Sequence, residues 1–249
     1  MTKPDALVLR GDGINCEEET VYALKLSQFN PVRVTCLDLK EQPTLLKRAQ
    51  VIVFPGGFSF GDEVRSGKVL AVKLRAYLQE ALQEYTSAGR LMLGICNGFQ
   101  VLVQLGILPS GRLLLTDGER PVTLAHNSGG KFLDRWVKLS VAPQATGFFA
   151  GMGGSTISLP VRHGEGRLVL RQEEDGSKIA ALSPLRYESD INGSYDRIAA
   201  LLSEKGNILG LMPHPECFVR TSQHPQWTSL PECEPDGLKL FTNMRAMLN

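Results

Sequence analysis

Leu91-Met92-Leu93-Gly94-Ile95-Cys96-Asn97-Gly98-Phe99-Gln100 compresses a strand, a sharp turn and the start of a helix into one short stretch. The apolar run before Cys96 suits a buried strand, and residues 99–105 carry apolar side chains at helical spacing. Glycines at 94 and 98 let the backbone bend and approach other groups closely. A nucleophile lifted out of an α/β sheet on such an elbow meets the free N–H groups and positive dipole of the helix start, which favour a thiolate. A free cysteine, with a pKa of about 8.5, is mostly protonated at neutral pH and needs that help. Cysteine often merely fills a core, but glycines, strand and helix together point to a nucleophile.

Outward from the elbow, the first 110 residues alternate short aliphatic runs with amphipathic stretches, the pattern of a parallel sheet covered by helices. Residues 6–9 read as the first strand. It leads into Gly11-Asp12-Gly13, after which Asn15 and Glu18 have capping-box spacing and Tyr22, Leu26 and Phe29 recur as on a helix face. Residues 32–37 and 51–54 read as the second and third strands. Leu70, Leu74, Leu78 and Leu82 repeat every four positions and predict a covering helix over 68–85. Residues 90–95 form the fourth strand and deliver Cys96 at its carboxyl end, where open α/β sheets place their sites. Beyond Gly111 shorter alternating runs, at 136–141, 167–170 and 179–182, predict antiparallel additions. Gly151-Met152-Gly153-Gly154 reads as a loop, with no phosphate-loop lysine after it.

The chain has 249 residues, enough for one substantial core, and no linker divides it, so a single domain over 1–249 is expected. At 43% hydrophobic and 21% charged residues with a net charge of +1, nothing favours nucleic acid. There is neither a leader-like start nor a run of about 18 apolar residues, so a cytoplasmic protein without membrane contact is expected. The five cysteines form no CxxC pair or closely spaced framework, which argues against a metal site or a disulfide scaffold.

A base for Cys96 is sought at the end of the last apolar strand, 208–212, in Pro213-His214-Pro215-Glu216. Each proline biases the preceding residue toward extended geometry, which would put His214 and Glu216 on one side of the chain. The carboxylate can then fix the imidazole tautomer, as the orienting member of a nucleophile, base and orienter set does. His126, His163 and His224 read as surface or packing residues, although His163 can still line a site. Cys217 lacks a glycine-bounded turn and is not expected to be a nucleophile. Acyl chemistry also needs donors for a developing oxyanion. Gly57, in the turn after the third strand, and Asn97, after the nucleophile, can each present a backbone N–H.

With these residues in view, the chain resembles a class I glutamine amidotransferase: Gly94, Cys96, Gly98 and Gln100 form its elbow, and His214 with Glu216 its distal pair. More closely, it resembles the glutaminase subunits of phosphoribosylformylglycinamidine synthases. That narrower likeness rests on Gly13-Ile14-Asn15-Cys16-Glu17, Pro55-Gly56-Gly57-Phe58-Ser59-Phe60-Gly61-Asp62, Asn127-Ser128, His163-Gly164-Glu165-Gly166 and Asn192-Gly193-Ser194. It departs at Cys217, where arginine is usual, and at Phe60, where tyrosine is frequent. The segment 221–235 looks more like the large fused form and reads mainly as a surface loop.

The resemblance implies an open, mainly parallel, flavodoxin-like sheet flanked by helices with antiparallel additions. It implies that Cys96 attacks the amide of glutamine, that His214 moves protons and that Glu216 orients His214. Gly57 and Asn97 would donate to the oxyanion, and Gln100 would help hold glutamine. Ammonia would pass to a large synthetase subunit, with a small accessory subunit a further partner. This chain would carry no cofactor or metal, while ATP and Mg would bind the synthetase. Two alternatives stay open: an amidotransferase or peptidase serving another acceptor, and a catalytically silent regulatory module.

Overall fold

Strands β3 (Val51–Phe54) and β4 (Leu91–Ile95) are apolar or glycine throughout and buried at every position, as in a sheet covered on both faces. They are the third and fourth strands, in spatial order, of a nine-stranded sheet in a computed structural model that describes residues 2–114, 120–229 and 234–248. β1 (Asp5–Leu9), β2 (Asn30–Val34), β3, β4 and β11 (Ile208–Leu211) form its parallel half, in the order β2-β1-β3-β4-β11. The sheet continues antiparallel through β10 (Ile198–Leu202), β9 (Leu185–Tyr187), β6 (Leu133–Val141) and β7 (Thr156–His163). β5 (Val122–His126) and β8 (Glu165–Leu170) pair separately. The expected fold class is observed.

Helices cover the parallel half. α4 (Lys68–Ser87) buries Leu70, Leu74, Leu78 and Leu82, the row read from the sequence, and packs against α5 (Asn97–Gln104). α1 (Glu17–Leu26) packs against α7 (Asp236–Ala246), and the short α3 (Thr44–Arg48) packs against α4. No described helix is long and apolar enough to cross a membrane.

Five local expectations are corrected. The Asn15 and Glu18 capping box does not form: α1 starts at Glu17 with Cys16 as its cap residue and no side-chain cap bond, while Glu18 pairs with Arg33. Three consecutive glutamates in the first turn suit the helix dipole instead. The buried face of α1 is Thr20, Val21, Ala23 and Leu24, and Leu26 is exposed. The second strand stops at Val34, because Thr35 caps α2 (Cys36–Glu41): Asp38 N–H donates to Thr35 Oγ1 at 3.0 Å and Thr35 N–H to Asp38 Oδ2 at 2.7 Å. That local pair overrides the β-branched run. Residues 179–182 are not a strand but lie at the end of α6 (Gly176–Ala181), where Arg186 donates to Ala180 O at 2.7 Å. The fifth correction, at His214 to Glu216, belongs to the site. Part of 221–235 consists of short 3-10 turns at Thr221–Gln223 and Trp227–Ser229, with Trp227 exposed; residues 230–233 lie outside the described residues.

Candidate active site

Cys96 has φ 50° and ψ −103°, a backbone that a residue with a Cβ rarely adopts. Such strain persists only where the surroundings hold it. Here Cys96 N–H donates to Leu211 O at 2.8 Å on one side, and α5 starts at once on the other. A Cβ on Gly98 would sit 1.9 Å from Phe54 O, and one on Gly94 would sit 2.7 Å from the carbonyl of Gly98. Only glycine at both positions lets α5 close onto β3 and β4 and leave the cysteine at the apex. The thiol is nearly buried and donates to Arg162 O at 3.4 Å.

His214 arrives from more than a hundred residues downstream, and strand register explains how. β11 runs parallel to β4 with Leu211 opposite Ile95, so both chains leave the sheet side by side at their carboxyl ends. His214 N–H then donates to Pro160 O of β7 at 2.8 Å. Glu216 reaches the ring through a 3-10 turn, Pro215–Cys217, rather than through the extended run expected from the prolines. Proline at the first position of that turn costs nothing, since its missing N–H would lack a partner there. His214 Nδ1 lies 2.6 Å from Glu216 Oε1, with both side chains buried.

Burial alone would push the His214 pKa down. The Glu216 carboxylate, followed by Cys96 and the neighbouring Cys16, more than offsets it and holds the ring well above its ordinary value. His214 Nε2 has no hydrogen-bond partner among the described residues. The pair is therefore a base with a fixed tautomer beside a thiol, able to take and return a proton.

Gly57 and Asn97, expected to donate to an oxyanion, both lie on backbone next to Cys96 or its cavity. Around Gly57, Phe58 N–H donates to Gly13 O at 2.7 Å and Asn15 N–H to Gly56 O at 3.3 Å, which leaves the Gly57 N–H without a protein acceptor among the described residues. Gly57 has φ 149°, and a Cβ on it would meet Gly13 O at 2.6 Å. Asn97 N–H lies in the first turn of α5, where no intrahelical acceptor exists. Gly57, Cys96 and Gln100 line one cavity of about 140 Å³, whereas His214 and Glu216 stay off its wall. Gln100 is locked in place: its Oε1 accepts from Asn97 Nδ2 at 2.9 Å and its Nε2 donates to Glu165 O at 2.5 Å.

The other histidines and thiols sort themselves. His224 packs its ring 4.5 Å from Trp136, and His126 is exposed at the cavity rim. His163 lines the cavity; burial first, and then His214, pushes its pKa down to about 4. Cys217 is buried, and burial with Glu216 pushes it up to about 12, which suits an inert thiol. Reading the residues one by one missed Cys16, Asp62 and Glu165. Cys16 stands beside His214 because Gly56 leaves space there: a Cβ on Gly56 would lie 2.7 Å from the imidazole and 3.2 Å from Cys16 Sγ. Among the described residues, donor atoms of Cys16, His214 and Glu216 come within 4.8 Å of one another, but a cation there would occupy the base and its carboxylate.

Comparisons with known proteins agree with this geometry. The family model for the CobB/CobQ-like glutamine amidotransferase domain matches residues 3–248. A Dehalococcoides mccartyi protein named phosphoribosylformylglycinamidine synthase subunit PurQ is 41% identical, covering 98% of this chain and 97% of that one. The Thermotoga maritima protein of the same name is 40% identical, covering 87% of this chain and 89% of its own length. A solved structure described as PurLQS from Thermotoga maritima superimposes with a TM-score of 0.78 at 34% identity, covering 99% of this chain and 100% of that chain. The chain belongs to the CobB/CobQ-like glutamine amidotransferase family, among the relatives named phosphoribosylformylglycinamidine synthase subunit PurQ.

Proposed function

We propose that this chain is the glutaminase subunit of a phosphoribosylformylglycinamidine synthase. The observation that carries the catalytic part is the Leu211 and Ile95 register, which sets the His214 and Glu216 pair beside a strained Cys96. Cys96 sulfur attacks the side-chain carbonyl carbon of glutamine, and its proton goes to His214. The N–H groups of Gly57 and Asn97 stabilise the oxyanion, a contribution of roughly 2.7–4 kcal/mol per donor in comparable sites. The C–N bond then breaks, and His214 returns the proton to the departing nitrogen as ammonia. Water attacks the glutamyl thioester, His214 takes its proton and gives it to sulfur, and glutamate leaves. Glu216 keeps the ring oriented throughout, and Gln100 holds the substrate.

The names of the relatives support the acceptor: ammonia passes to a large synthetase subunit that uses ATP and Mg to convert formylglycinamide ribonucleotide to its amidine in purine biosynthesis. A small accessory subunit completes the assembly, in the cytoplasm. One sheet that draws strands from both ends of the chain supports a single domain over 1–249. The test is glutamate release from glutamine with the synthetase present. Wild type is expected to turn over and Cys96→Ser to lose activity; retained turnover in that variant would reject the mechanism.

A further inference from the structure

Three donor atoms meet beside the base, off the wall of the cavity that Cys96 lines. Cys16 Sγ, a ring nitrogen of His214 and a carboxylate oxygen of Glu216 lie within 4.8 Å of one another, and all three residues are buried. Backbone bonds fix Cys16 there: its N–H donates to Gly56 O at 3.2 Å, and its carbonyl accepts from Thr20 Oγ1 at 2.7 Å. A Cβ on Gly56 would stand 3.2 Å from Cys16 Sγ, 2.7 Å from His214 Cε1 and 3.3 Å from His214 Nδ1. Cys16 thus flanks the Cε1–Nδ1 edge of the ring, whose Nδ1 meets Glu216 Oε1 at 2.6 Å. Glu216 Oε2 is buried without a hydrogen-bond partner among the described residues. The proposed reaction uses neither Cys16 nor that second oxygen.

A thiol, an imidazole and a carboxylate converging on one point form a zinc donor set. Bonds of about 2.3 Å to sulfur and about 2.0–2.2 Å to nitrogen and oxygen would put tetrahedral donors roughly 3.3–3.7 Å apart. That spacing falls inside the 4.8 Å that bounds these atoms. The charges balance as well. Imidazolium, carboxylate and thiol sum to zero; Zn²⁺ enters while the thiol proton and the Nδ1 proton leave to solvent, and the sum is again zero. Binding therefore creates no buried net charge. With zinc on Nδ1 the remaining ring proton sits on Nε2, where the proton of Cys96 would have to go. Building on the glutaminase reading, we propose that Cys16, His214 and Glu216 form an inhibitory Zn²⁺ site that stops glutamine turnover by occupying the base. Cysteine spacing gives no sign of it, because the ligands come from the start of α1 and from the turn after β11.

The test titrates Zn²⁺ into glutamate release with the synthetase present, each variant scored against its own metal-free rate. Wild type is expected to be inhibited and to be restored by EDTA. Cys16→Ser is expected to need at least about 100-fold more Zn²⁺, since losing a ligand outright costs more than the roughly 10–100-fold typical of an outer-shell partner. Co²⁺ added to the chain alone, read by thiolate-to-metal charge-transfer absorption, locates the sulfur ligand. That band is expected to persist in Cys96→Ala and in Cys217→Ser and to vanish in Cys16→Ser. Glu216→Gln, which keeps the shape and leaves Cys16 in place, is expected to weaken Co²⁺ binding by more than about tenfold. No band in wild type, a band lost in Cys96→Ala or kept in Cys16→Ser, unchanged Co²⁺ binding in Glu216→Gln, or equal Zn²⁺ sensitivity in wild type and Cys16→Ser would overturn the site. If metal-free glutamate release itself fails, the glutaminase reading falls, while the cobalt bands still decide the metal site.

Discussion

The chemistry turns on how Glu216 changes one imidazole. His214 is buried, and without the carboxylate a positive charge there would be strongly disfavoured. Glu216→Gln keeps the shape and removes the charge, so glutamine turnover is expected to fall by about 10²–10⁴-fold. Steady-state glutaminase kinetics with the synthetase present check this, and a loss below tenfold would deny Glu216 its orienting role. Cys217, one residue further on, is held as a thiol by burial and by the same carboxylate, so Cys217→Ser is expected to leave turnover within about twofold. Cys96 could be picked out from sequence because glycines mark an elbow. Cys16 could not: its place beside His214 depends on the space over Gly56, a contact between distant segments that no local pattern records.

At the level of elements, the long periodic pieces were legible and the short ones were not. The leucine row of α4 and the aliphatic runs of β3 and β4 each state one period over enough residues to decide. Residues 35–38 and 179–182 do not. In the first, a threonine and an aspartate exchange hydrogen bonds and turn a β-like run into a helix; in the second, Arg186 secures a short helix from the following strand. Thr35→Ala is accordingly expected to cost about 1 kcal/mol in urea unfolding, the usual worth of a cap. Gly98→Ala is expected to cost about 1–3 kcal/mol and to disable Cys96 as well, because the added methyl meets Phe54 O. A variant that kept wild-type stability and turnover would contradict the packing described for the elbow.

Across the whole molecule, two buried histidines pull stability in opposite directions with pH. His163 falls to about 4 in the folded chain from an ordinary 6.5, so the unfolded state binds more protons between those values and stability rises with pH there. His214 is raised above 6.5, so its contribution is full below 6.5 and is lost as pH climbs through the folded value. Urea midpoints are expected to rise from pH 4 to 6.5, by at most about 1.4 kcal/mol per unit for one proton, and His163→Gln is expected to flatten that limb. The neighbouring ends of β4 and β11 lead into Cys96 and His214, and β7, the far edge strand of the sheet, reaches them through the His214 N–H bond to Pro160 O and ends at His163. The acceptor lies outside this chain, and the most direct measurement is amidine formation from formylglycinamide ribonucleotide and ATP after mixing the chain with a synthetase subunit. Glutamine is expected to replace ammonia with wild type, whereas Cys96→Ala supports the ammonia-dependent reaction alone. Failure of glutamine to replace ammonia with wild type, while added ammonia still works, would contradict the proposed function.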